Sequence, residues 1–243
     1  MLSRHDQSGD DHLKDEMRRL IYLFTHDMRN PLVNMKALLN ELRLTLQRAQ
    51  CGDPRVIEQE LPDTMQMLDL SVERMSAVIE GANDICHCMF DPLECEEIEL
   101  TPLIKRILHR FGDIEGVEIQ VAEMATIWAD PLAVGRMVEE LLKNSIRAVG
   151  AQGSIALSLN RQAHFDELMI TDSGEGVPEG SLESLFDPFY SVAGQQGSTA
   201  GMGLALVKAL AEAHGGSVRC EPKQDKGLTF YVSFPRREGP TAA

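Results

Sequence analysis

Phe24-Thr25-His26-Asp27-Met28-Arg29-Asn30-Pro31-Leu32 is the stretch on which the reading of this chain turns. It sits inside a long amphipathic pattern that runs from Leu13 to about Gln50. Residues four apart share a helix face, so His26 and Asn30 stand one above the other. Pro31 has no N–H and crowds the carbonyl of Asp27, which bends or loosens the helix beside the histidine. An imidazole with an adjacent acid can serve as nucleophile or base, the acid selecting its tautomer. Beyond the proline, Leu32, Met35, Leu39, Leu42 and Leu46 recur at alternating three and four residues, a seam for other helices. A helix of nearly forty residues reaches ~55 Å at 1.5 Å per residue. Such a helix is not stable alone and calls for a bundle.

Cys51-Gly52-Asp53-Pro54 reads as a helix stop, an N-cap and a first-turn proline. A second helix follows, carrying Leu61, Met65, Leu68, Val72, Met75, Ile79 and Ala82. Pro62 either kinks it or marks its start. Two such helices with a short connection form a hairpin. One hairpin leaves much of each seam uncovered, so two copies are expected to pair as a four-helix bundle and make the protein a homodimer.

The 243 residues suit two modest domains, and 43% hydrophobic with 25% charged residues is ordinary for a globular protein. A net charge of −15 argues against nucleic acid or an anionic membrane as principal partner. No apolar run approaches the ~20 residues of a membrane span, and residues 1–6 lack a signal-peptide core. The expected location is cytoplasmic. Five cysteines are too few for a disulfide framework at this length. Cys86-His87-Cys88, with Cys95 nearby, lacks the Cys-x-x-Cys half-site of zinc proteins, so inert thiols are expected ahead of a metal or redox site.

Residues 1–12 read as a polar tail, 13–94 as the helical domain and 95–243 as a second domain. Asp91-Pro92 ends the helices, and Glu94–Glu99 reads as an acidic connector. Next comes a helix over Thr101–Phe111, with Thr101 as N-cap and Pro102 at the first position. Strands are expected at Val117–Ala122, Ala125–Ala129, Gly153–Asn160 and Glu167–Thr171, with a helix from Asp130-Pro131 through Val149. A loop-rich segment runs to about Thr199, then a helix over Gly203–His214 and a hairpin of Ser217–Glu221 with Gly227–Phe234. The expected architecture is a layer of helices on a mixed sheet.

Four strings in this half carry chemistry. Glu139-Glu140-Leu141-Leu142-Lys143-Asn144-Ser145-Ile146-Arg147 lies on a helix with Val138, Leu141 and Leu142 facing inward. Glu140 and Asn144 then share a polar edge with Lys143 and Arg147, and that set suits Mg²⁺ with a triphosphate. Asp172-Ser173-Gly174-Glu175-Gly176-Val177-Pro178 directly follows a strand. Its glycines allow close backbone approach, and a buried Asp accepts from an exocyclic amine. Phe186-Asp187-Pro188-Phe189-Tyr190 precedes Gly194–Gly201, which has the composition of a mobile lid. Gly201-Met202-Gly203 opens a helix whose free amides can cradle phosphates.

Phe24–Leu32 resembles the H-box of sensor histidine kinases. The four later strings, in order, resemble the N, G1, F and G2 boxes of the catalytic domain of that family. The fold implied is multidomain, α and α+β: a helical-hairpin dimerisation domain, then the GHKL-type α/β sandwich shared with type II topoisomerases and mismatch-repair ATPases. The resemblance implies that His26 accepts phosphate from ATP, that Asp27 orients it and that Asn30 positions water for dephosphorylation. It implies Asn144 as Mg²⁺ ligand, Asp172 at the adenine amine, and Gly174, Gly176, Gly201, Gly203 and Thr229 around the nucleotide. The implied partner is a response-regulator receiver domain, with sensory input from a separate protein or a missing sensor domain. Glu140 departs from the asparagine common in the family, and the string around it resembles the pyruvate dehydrogenase kinases. A glutamate there can act as a base, so a serine-directed kinase is one alternative. A phosphotransfer adaptor with an ATP-silent domain is another.

Overall fold

The computed structural model describes residues 28–29, 32–49, 55–90, 92–188, 190 and 201–237. Two compact units are distinguished: Met1–Ala82 with Gln195–Met202, and Asn83–Gly194 with Gly203–Ala243. No described helix is long and apolar enough to cross a membrane.

The first unit is helical. Helix α1 spans residues 32–49 and α2 spans Leu61–Phe90, ~45 Å at 1.5 Å per residue, with the unit boundary falling inside α2 after Ala82. Pro62 stands at the second residue of α2, just beyond a π-helical turn, Val56–Glu60, closed by Leu61 N–H on the Val56 carbonyl. The proline ring would crowd the Glu58 carbonyl in an ordinary helical turn, and the wider turn relieves that. Pro62 thus marks the change of winding and starts the α-helix proper. Met35, Leu38, Leu42, Thr45 and Ala49 form the more buried stripe of α1, with Thr45 only 1% exposed. In α2 the matching stripe runs through Leu61, Thr64, Leu68, Ser71, Met75 and Val78. Arg48 donates to Thr45 Oγ1 and pairs with Glu60 at 2.6 Å, tying the end of α1 to the last residue of the π-helical turn. The expected restart at residues 51–54 lies outside the described residues.

The second unit is a helix layer on a sheet, as the sequence predicts. Its main sheet has the order β2-β4-β5-β7-β6. These strands are β2 (Val117–Val121), β4 (Gly153–Arg161), β5 (Phe165–Asp172), β6 (Ser217–Pro222) and β7 (Leu228–Pro235). Only β2 with β4 is parallel. Ile155, Leu157, Leu168, Ile170, Phe230, Val232 and Phe234 alternate onto one face and are at most 3% exposed. Helices α3 (Leu100–Phe111), α4 (Pro131–Val149) and α5 (Gly203–Ala213) supply the other half of this core.

Two local expectations need correction. Glu96–Glu99 is not a connector but a strand, β1, paired antiparallel with β3 (Thr126–Ala129). Three glutamates conceal it, because a two-stranded ribbon lets Glu96, Glu97 and Glu99 face water while Ile98 is 7% exposed. Thr101 is not an N-cap either. Leu100, fully buried, already belongs to α3, and the Thr101 hydroxyl accepts from Met124 N–H at 2.9 Å.

Asp130 organises the start of α4. Its Oδ1 accepts from the N–H groups of Leu132 and Ala133, at 2.9 and 3.0 Å, with Pro131 in the first turn. Its Oδ2 accepts from Glu94 N–H at 2.8 Å. Its own N–H donates to His214 Nε2 at 3.1 Å. His214 Nδ1 lies 2.6 Å from the Leu210 carbonyl, so with Nε2 accepting, Nδ1 is the ring's donor.

Candidate nucleotide-binding site

The end of β5, the start of β7, the outer edge of α4 and the start of α5 supply the chemistry that the sequence anticipates. Asp172, the last residue of β5, is 1% exposed. Its Oδ1 accepts from Gly174 N–H at 2.9 Å and from Leu228 N–H at 3.3 Å. Its Oδ2 has Ser145 Oγ at 3.5 Å. Burial pushes the carboxyl above the usual aspartate range, while those donors and the positive charge of Lys223 pull the other way. Both backbone donors fall on one oxygen. The second oxygen keeps a lone pair for a ligand amine.

The glycines around it have distinct reasons. A Cβ on Gly174 would lie 2.7 Å from the Ala148 backbone, so only glycine lets this turn cross α4. Gly227 has φ +101°, and a Cβ there would meet the Asp172 carbonyl oxygen at 2.0 Å. Gly227→Ala should therefore cost roughly 1–3 kcal/mol from backbone conformation alone, before the overlap is counted. Urea denaturation of the variant checks this; an unchanged midpoint would contradict it. Thr229, 7% exposed, faces Thr171 across the β5–β7 pair with hydroxyl oxygens 3.1 Å apart. Phe186 packs edge-on against Phe230, centroids 6.4 Å apart.

On α4, Val138, Leu141 and Leu142 are fully buried, as the helical spacing requires. The polar edge carries Glu140, Lys143, Asn144 and Arg147. Lys143 Nζ pairs with Glu140 Oε1 at 2.6 Å, and Arg147 donates to Asn144 Oδ1 at 3.0 Å. Gly203 opens α5 against Glu140: a Cβ there would sit 2.3 Å from Glu140 Oε2. The carboxylate thus rests at the N-terminus of α5, favourable for any anion. Gly176 and Gly201 take positive φ, +76° and +66°, as turn glycines do.

Asn144 offers a hard amide oxygen beside a carboxylate, and Mg²⁺ bound with a triphosphate needs only one or two such protein ligands. The donor set fits that ion. Among the described residues no three His, Cys, Asp or Glu side chains gather as a metal-only site. Cys95 is a free thiol, its pKa raised by burial and then by the Asp130 charge, the profile of an unreactive cysteine. The side chains of Cys86, His87 and Cys88 lie outside the described residues, as do His26, Asp27, Asn30 and most of the 191–201 segment.

Three participants were not singled out by sequence. Ser145, Leu228 N–H and Lys223 all face Asp172. Gly227 was the available signal for the second, since a glycine directly before the Leu228-Thr229 strand marks close backbone approach.

A family described as histidine kinase-, DNA gyrase B- and HSP90-like ATPase matches residues 129–238. The match covers less than half of the chain and falls mostly in the second unit. The sensor protein KinB of alginate biosynthesis, from Pseudomonas aeruginosa, is 28% identical over 222 residues, covering 87% of this chain and 36% of KinB. The signal transduction histidine-protein kinase/phosphatase MprB of Mycolicibacterium vanbaalenii is 26% identical, covering 95% of this chain and 49% of MprB. The chain thus spans half or less of the length of these relatives. The structure of histidine kinase ThkA in complex with response regulator protein TrrA matches 98% of this chain and 68% of ThkA, with TM-score 0.68 and 17% identity. At that identity the likeness is one of fold. Both curated relatives are sensor kinases, and the chain is similar to them along most of its own length.

Proposed function

We propose that this chain is the dimerisation and catalytic core of a cytoplasmic histidine kinase, with residues 13–94 carrying the phosphoacceptor and 95–243 binding ATP. The observation that carries the reading is the ATPase-family site built on Asn144, Asp172, Gly203 and Thr229, in a chain related along most of its length to sensor histidine kinases.

Asp172 Oδ2 accepts from the adenine amine, and Gly174 and Gly176 let the base approach the backbone. The start of α5, with Gly201 and Gly203, receives the phosphates, and Lys143 and Arg147 add positive charge along α4. Asn144 would hold Mg²⁺, which neutralises charge on the triphosphate. A ring nitrogen of His26 attacks the γ-phosphorus, the bond to the bridging oxygen breaks, and ADP leaves. Asp27 holds the other ring nitrogen in the required tautomer. The phosphoryl group then passes to an aspartate carboxylate of a response-regulator receiver domain. Asn30, one turn below, orients a water for the reverse signal, hydrolysis of that acyl phosphate. MprB is named as a kinase/phosphatase, and ThkA was solved with a response regulator, which supports both halves of this cycle.

A homodimer follows from what the helices leave uncovered. Leu32, Leu39 and Leu46 on α1 and Met65, Val72 and Ile79 on α2 are each 45–53% exposed and recur every seven residues. Two copies joined along these stripes bury both in a four-helix bundle. Glu140 keeps a serine-directed alternative conceivable on chemistry alone, but the relatives favour histidine. The ATP-silent adaptor is not favoured, because the site is intact.

Asn144→Ala should reduce autophosphorylation to background while sedimentation still finds a dimer. Wild-type labelling in that variant would show that the nucleotide metal is held elsewhere.

A further inference from the structure

We propose that Ser145 is a positioning residue that sets base selectivity: its buried hydroxyl donates to Asp172 Oδ2 and keeps that carboxylate an acceptor, so the site takes a base presenting an amine and rejects one presenting a carbonyl. This rests on the nucleotide-binding reading above.

The buried face of α4 consists of Ala133, Val134, Met137, Val138, Leu141, Leu142, Ser145 and Val149. Ser145 is its one polar member and is fully buried. Burying a hydroxyl is unfavourable unless it is paired, and a serine within a helix commonly turns back on its own preceding turn. Here the hydroxyl reaches across to the end of β5, and Asp172 Oδ2 at 3.5 Å is its partner. The other carboxylate oxygen is already occupied by Gly174 and Leu228 N–H. A proton on Asp172 would therefore go to Oδ2, the atom that Ser145 faces. A hydroxyl donating to that atom opposes its protonation.

The consequence for the ligand is one of matching. An ionised Asp172 accepts from an amine and repels a carbonyl oxygen at the same edge. A neutral carboxyl could instead donate to that carbonyl. Burial favours the neutral form. The donors Gly174, Leu228 and Ser145, with Lys223 as the charged group facing the site from the β6–β7 turn, favour the ionised one. Ser145 is the side chain in that balance contributed by α4, the helix that also carries Asn144.

The test is calorimetric titration of the full chain with Mg·ATP and Mg·GTP over a pH series, for wild type, Ser145→Ala and Ser145→Cys. The cysteine variant keeps the volume and weakens the donor, so one well-folded variant of the two suffices. The expected result is an ATP-over-GTP preference in the wild type that narrows by about tenfold in either variant, as for one lost hydrogen bond to a charged group. The pH at which ATP affinity fades should also rise. A variant that binds ATP with the wild-type preference and pH profile overturns the inference. Wild-type protein that binds neither nucleotide overturns the underlying reading instead, and this inference with it.

Discussion

Asp172→Asn should leave the second unit folded, at least as stable as wild type at neutral pH, and deprived of most of its affinity for ATP. The asparagine Oδ1 can still accept from Gly174 and Leu228 N–H, and its amide nitrogen can donate to the Ser145 hydroxyl. Folding therefore loses no partner. Binding is another matter, because two donors would then face each other at the adenine amine. Losing that hydrogen bond and gaining a clash of like polarity should cost about 1.5–3 kcal/mol or more, a factor of ten to over a hundred in affinity. Burial raises the Asp172 pKa, so its contribution to stability is complete below the unfolded value and is lost as pH rises through the folded one. The asparagine variant lacks this loss, and its advantage should shrink as pH falls. In the wild type, ATP affinity should fade on acidification at a pH above the ordinary aspartate range. Parallel thermal unfolding and nucleotide titration check both halves. ATP binding undiminished in the variant would remove Asp172 from the site.

His26→Ala should abolish phosphoryl incorporation while ATP affinity stays at the wild-type level. The two properties separate because Ser145, Asp172, Gly174 and Leu228, which make the set around Asp172, all come from the second unit. Transfer depends on one ring nitrogen aligned with the γ-phosphate, and alanine offers none. The effect is loss to background rather than a graded decline. Label retained in that variant would move the acceptor elsewhere on the chain.

The elements carrying the nucleotide site were legible in the sequence because their signals are local and redundant. Asp130-Pro131 announces α4, and the 3.6-residue spacing of Val138, Leu141 and Leu142 fixes which side of it faces the sheet. Alternation in β5 and β7 places Asp172 and Thr229 at neighbouring strand ends. What stayed hidden depends on contacts between distant segments. β1 has strand geometry only because β3 pairs with it, and its glutamates argue against a strand when read alone. Thr101 resembles a cap until Met124 N–H claims its hydroxyl. Ser145 looks like filler inside an amphipathic helix, since nothing in its own string reveals that Asp172, 27 positions later, lies across from it. Gly227 reads as a hairpin glycine, although what demands it is the Asp172 carbonyl rather than the turn.

Incubation of the wild-type protein with γ-labelled ATP and Mg²⁺, followed by acid and alkali treatment of the washed protein, tests the central claim most directly. A phosphohistidine hydrolyses in acid and survives alkali, because its P–N bond breaks once the ring nitrogen is protonated. The expected result is a label lost in acid, kept in alkali and absent from His26→Ala. An acid-stable label, or no label in protein that binds ATP, would contradict it.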